Sequence, residues 1–142
     1  MKPITHFECL NLLRKEKAEQ TRKLTLLQNT MELYNLGIFS YTSESISKLS
    51  QEISRCNEKI DGINTLVDEI ESIPEHMELC KISSKLSWQV PNEKEIANAQ
   101  DEVYRAGLIA QRDAYCSLKS SMQQRSERLG SQLYPRVRRM LE

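Results

Sequence analysis

Few side chains in this sequence are suited to chemistry. It has two histidines, His6 and His76, and four cysteines, Cys9, Cys56, Cys80 and Cys116. His76 and Cys80 are four residues apart, so on a helix they share a face. That spacing suits two ligands of one metal ion, or a thiol with a base beside it. No third His or Cys lies close in sequence to complete either arrangement. The expectation is therefore no metal, no cofactor and no catalytic residue. His6 is expected at a helix start, exposed or near the cap. The cysteines are widely spaced, form no CxxC pair and read as small packing residues. No Gly-rich phosphate loop, GxSxG elbow or HExxH motif occurs. Acidic pairs fall on solvent-facing helix positions. Together these features predict a non-enzyme with no small-molecule substrate.

Charge offers a second kind of chemistry. The net charge is +0, so no overall field steers the chain to nucleic acid or to a membrane. The distribution is uneven: nine acidic and three basic residues lie between Glu44 and Glu78, against two acidic and six basic between Asp113 and Leu141. Arg125, Arg128, Arg136, Arg138 and Arg139 have the charge to meet phosphates, an acidic helix or an anionic membrane. Aromatics for base stacking are scarce beside them, so contact with nucleic acid or lipid is not the favoured reading. Ser40, Thr42, Ser43, Ser45 and Ser47 surround a helix start. They read as capping and linker residues, although phosphate there would sit favourably.

The elements that must position these groups are helices. Gly and Pro number four each, aromatics are 6% and charged residues 28% of 142 residues, which suits long helices and not an all-β domain. Thr5 with Glu8 has capping-box spacing. From there Leu10, Lys17, Leu24 and Met31 fall on heptad a, and Leu13, Gln20, Leu27 and Tyr34 on d, until Gly37 stops the helix. A second apolar stripe on c carries Leu12, Leu26 and Leu33. The clearest signal follows: Ile46, Ile53, Ile60 and Val67 on a, with Leu49, Cys56, Ile63 and Ile70 on d. This narrow seam is of the coiled-coil kind, with Leu66 the main apolar residue outside it. Pro74 ends it. A short helix from a Ser72–Glu75 cap is expected next, and Asn92 with Glu95 starts the last one. Its pattern opens as Ile96, Ala99, Val103, Ala106 and Ala110, then shifts register to Tyr104, Leu108, Tyr115, Leu118, Met122 and Leu129 before Tyr134-Pro135 kinks or ends it.

These patterns predict an all-α fold: an elongated antiparallel helical hairpin or three-helix coiled-coil bundle with a short connecting helix. One domain spans 1–142, with helices at about 6–36, 44–72, 75–86 and 93–133 and a basic tail at 134–142. In such a hairpin, polar Lys17 and Gln20 oppose Ile63 and Ile60, so the third helix or another chain must cover those isoleucines. With unpaired cysteines and Glu8 breaking the apolar start, an intracellular and cytoplasmic setting is expected, the nucleus being the alternative.

The function expected is that of a structural or adaptor subunit in a hetero-oligomeric coiled-coil complex, of the kinetochore, spindle or vesicle-tethering type. Partner-binding residues are expected to be Ile46, Leu49, Ile53, Ile60, Ile63, Val67, Ile70, Tyr115, Leu118, Met122, Leu129, Arg136, Arg138 and Arg139. The partners would be other coiled-coil subunits. The alternatives are a helical chaperone or regulator of a partner helix, such as a secretion-system chaperone, and a small nucleic-acid-binding protein using its basic C-terminus.

Overall fold

A computed structural model describes residues 4–38, 42–86 and 90–142, and the described residues form five helices and no strand. They are α1 (His6–Asn35), α2 (Ser43–Glu71), α3 (Pro74–Lys85), α4 (Glu93–Asn98) and α5 (Glu102–Leu141). The fold is all-α.

Local side-chain chemistry sets most of the starts. The hydroxyl oxygens of Thr5 and Thr42 each accept a backbone N–H three residues on, from Glu8 and Ser45, both at 3.1 Å. Asn92 accepts from Glu95 at 2.8 Å and Asp101 from Tyr104 at 2.9 Å. Each bond satisfies an N–H that a helix start would otherwise leave without a partner. The Ser72 cap does not form. Ile73 takes the N-cap position without a side-chain bond, and Ser72 Oγ instead donates to the Asp68 carbonyl at 2.7 Å. Pro74 then fits the first helical position, where no N–H is needed.

Two boundaries differ from the sequence-based expectation. The last helix is broken at Ala99, whose extended backbone (ψ 120°) ends α4 before Asp101 caps α5. The early Ala-rich stripe packs only at its start: Ile96 and Ala99 form a small cluster with Leu108 and Ile109, while Val103, Ala106 and Ala110 are exposed. At the other end, α5 continues through Pro135 to Leu141, so 134–141 is helix and not a tail. An interior proline costs about 3 kcal/mol. Leu133 and Val137 flank it and are buried, and each such side chain contributes about 1.5–3 kcal/mol, enough to offset the break.

Gly37, at φ 72°, turns the chain after α1 in a conformation that costs glycine little. α2 then returns antiparallel to α1. Arg14 pairs with Glu71, Glu16 with Lys59 and Lys23 with Glu52, so rising numbers on α1 meet falling numbers on α2. α5 lies beside this pair at one end only. Its Ser126 and Gly130 meet His6 and Cys9, and its Arg136 and Met140 meet Glu69 and Gly62, making α5 parallel to α1 and antiparallel to α2. The core forms there, from Cys9, Leu10 and Leu13 of α1, Ile63, Leu66 and Ile70 of α2, Leu79 of α3, and Leu129, Leu133 and Val137 of α5. The cover that Ile63 requires comes from the chain itself, and Leu66, outside the heptad seam, is core as well.

Candidate interaction surface

The α1–α2 hairpin has two unlike halves. Where α5 lies over it, the apolar stripe is closed: Leu10, Leu13, Ile63 and Ile70 have at most 1% of their surface exposed. Toward the turn no third helix of the described residues covers it. Leu24, Leu27, Met31, Leu33, Leu49 and Ile53 are half-buried there, and Leu26, Leu36, Ile38 and Ile46 are exposed by 58, 66, 62 and 38%. Where α5 ends, an open groove of about 660 Å³ lies between it and α2, lined among others by Lys59, Gly62, Leu66, Arg136, Arg139 and Met140. Phe39 and Ser40 lie outside the described residues.

The expected partner-binding residues separate along this division. Ile63, Ile70 and Leu129 belong to the internal core, with Val67 and Met122 packed against it, so these side chains hold the chain's own helices together. Ile60 is half-buried. Ile46, Leu49 and Ile53 lie on the open half. Tyr115 and Leu118 are half-buried and line a separate pocket of about 450 Å³ with Lys85, Val90 and Pro91. Of the arginines, Arg136 pairs with Glu69, Arg138 with Glu142 at 3.6 Å, and the Arg139 guanidinium donates to the Pro135 carbonyl at 3.4 Å. Arg125 grips Glu75 through two bonds of 2.7 and 2.8 Å and also reaches Glu78. The hydrogen bonds from Arg125 hold the Glu75 carboxyl below the usual range. The basic helix thus meets the acidic one within the chain.

A second constellation joins residues far apart in sequence. His6 is completely buried, not exposed, and its Nδ1 lies 2.8 Å from Ser126 Oγ. Its Nε2 lies 2.9 Å from Nδ1 of His76, and His76 Nε2 lies 3.3 Å from Sγ of Cys80. All donors and acceptors in this line can be matched in either direction, which a buried polar chain requires. Burial first, and the neighbouring His76 second, lower the pKa of His6 from 6.5 to about 4, with Glu75 acting weakly the other way. His6 is therefore neutral near pH 7. Burial raises the Cys9 thiol to about 11, with Glu8 adding to it, so Cys9 is an inert packing group. Among the described residues no three His, Cys, Asp or Glu side chains are grouped as a metal ion would need.

Gly130 makes this meeting geometrically feasible. A methyl group there would stand 2.2 Å from the Ile4 carbonyl oxygen and 2.5 Å from the Thr5 carbonyl carbon. The start of α1 crosses α5 at that glycine. Sequence reasoning passed over Gly130 and Ser126, although the signal was present: two small residues four apart beside Leu129 and Leu133 mark a face made for close approach. A comparison with protein-family models, curated proteins and solved structures finds no match to this chain. No helix among the described residues is long and apolar enough to cross a membrane.

Proposed function

We propose that this chain is a non-catalytic subunit of a coiled-coil assembly, with its α1–α2 hairpin as the arm that engages a partner helix. One observation carries the reading: the hairpin's apolar seam is sealed by α5 at one end and only half-covered toward its turn, where Ile46 of the seam and Leu26 of the second stripe are exposed. Two helices present the sides of a three-helix layer there, and the third position is vacant. An amphipathic helix laid along it would bury apolar area at about 25 cal/mol per Å². The chemistry of the partner follows: an apolar stripe at heptad spacing with polar flanks, from another coiled-coil subunit. The internal pairing of Arg125, Arg136 and Arg138 favours this over a nucleic-acid role.

Charge placed on the open stripe tests the proposal. Leu26→Asp combined with Ile46→Asp leaves the closed core untouched, so circular dichroism should match the wild type and the urea midpoint should fall by no more than about 2 kcal/mol, less than a core substitution costs. Co-purification of a coiled-coil subunit with the tagged full-length chain, mapped by cross-linking to α1 and α2, should be lost in the double variant. Retention of that subunit by the double variant, or cross-links confined to α4 and the first half of α5, overturns the arm assignment.

A further inference from the structure

The line of polar side chains ending at Cys80 has no part in the arm, and its order is that of a positioned nucleophile. Cys80 and Cys116 are the exposed cysteines, whereas Cys9 and Cys56 are buried. Among the described residues only Cys80 has a base in contact, His76 Nε2 at 3.3 Å on the same face of α3. The other ring nitrogen of His76 is held by His6 Nε2, and His6 in turn by Ser126 Oγ, so the base is oriented by a partner that is itself oriented. His6 comes from the start of α1 and Ser126 from the middle of α5, which fixes the His76 ring against two other helices. A cysteine serving only to pack needs none of this.

We propose that Cys80 is a thiol-modification site that undergoes exchange with small-molecule disulfides, with His76 taking the thiol proton and His6 positioning His76. The sulfur of Cys80 attacks one sulfur of the disulfide as its proton passes to His76 Nε2. The Cys80–sulfur bond forms, the disulfide bond breaks, and the departing thiolate recovers the proton from His76. One thiol and one disulfide thus give a mixed disulfide and a new thiol, with no other reactant. While His76 carries the extra proton, its Nδ1–H donates to His6 Nε2. His6 is able to accept because burial keeps it neutral. The event is a stoichiometric modification of the α3 surface and requires no turnover.

The test compares the two exposed thiols of the intact chain. The full-length protein is mixed at pH 7 with an aromatic disulfide reagent such as 5,5′-dithiobis(2-nitrobenzoate), and the labelled positions are followed by peptide mass spectrometry. Cys80 should react about tenfold or more faster than Cys116, a modest share of what a placed base supplies. In a Cys116→Ser background, His76→Gln should lower the rate at Cys80 to that of Cys116 with helicity unchanged. His6→Gln, which keeps a hydrogen-bonding group beside His76, should fall between. Equal rates at Cys80 and Cys116 in the wild type overturn the proposal without recourse to any variant of the buried chain. So does a folded His76→Gln protein that reacts at the wild-type rate.

Discussion

Replacing Gly130 with alanine sets two effects of opposite sign against each other. Within a helix, Gly→Ala is worth about 0.8–1.0 kcal/mol in favour of the folded state. At Gly130 the added methyl meets backbone: Ile4 O at 2.2 Å, Thr5 C at 2.5 Å and His6 N at 2.7 Å. Ordinary contact begins near 3.4 Å, so the segment entering α1 must retreat by about 1 Å. Overpacking of that kind costs about 1–3 kcal/mol. The same movement stretches the 2.8 and 2.9 Å bonds of His6 to Ser126 and His76, and a buried nitrogen left without a partner costs about 1–3 kcal/mol more. Subtracting the helix gain leaves a net loss of about 3 kcal/mol, or roughly 10 °C in Tm for a chain of this size. Urea and thermal unfolding followed by circular dichroism measure it, with Gly107→Ala as the control. Gly107 is exposed and has no atom within 4 Å of its added methyl, so there the helix preference acts alone and stability should rise by about 0.5–1 kcal/mol. If Gly130→Ala proved as stable as the wild type, the close crossing of α1 over α5 would be refuted.

Other outcomes follow from the same contacts. Lowering the pH should weaken the fold through His6, whose pKa falls from 6.5 to about 4 on folding. Above pH 6.5 both states are neutral and nothing is lost. Between 6.5 and 4 the unfolded chain takes up the proton first, so stability falls with pH by up to about 3 kcal/mol and then levels. Urea midpoints across that range should show the slope in the wild type and lose most of it in His6→Gln; a wild-type midpoint flat from pH 7 to 5 would contradict the buried pair. Ile63→Ala empties a fully buried position beneath α5 and should cost about 2–5 kcal/mol in the isolated chain, whereas Ile46→Ala, 38% exposed, should cost under about 1 kcal/mol. Similar losses at the two positions would mean that the hairpin stripe is covered evenly along its length.

What the sequence determined by itself was local. Thr5, Thr42 and Asn92 accept N–H groups three residues away, and such bonds need no distant partner; the cap at Asp101 forms in the same way but was not read. The uninterrupted spacing from Ile46 to Ile70 required a helix with one apolar edge, and Gly37 required a turn. The all-α fold and the bounds of α1 and α2 follow from these features. Competition between local penalties and distant packing was not legible: Pro135 reads as a helix stop, and only the burial of Leu133 and Val137 against α1 and α2 carries α5 through it. The split of the heptad seam into a sealed half and an open half was likewise decided by where α5 lies. Tertiary structure alone brought together the two histidines, 70 residues apart in sequence, and set Ser126 beside His6 from 120 residues away. Contacts at such separations depend on how whole helices cross, and here they depend on one missing side chain, at Gly130, which lets the start of α1 reach the backbone of α5.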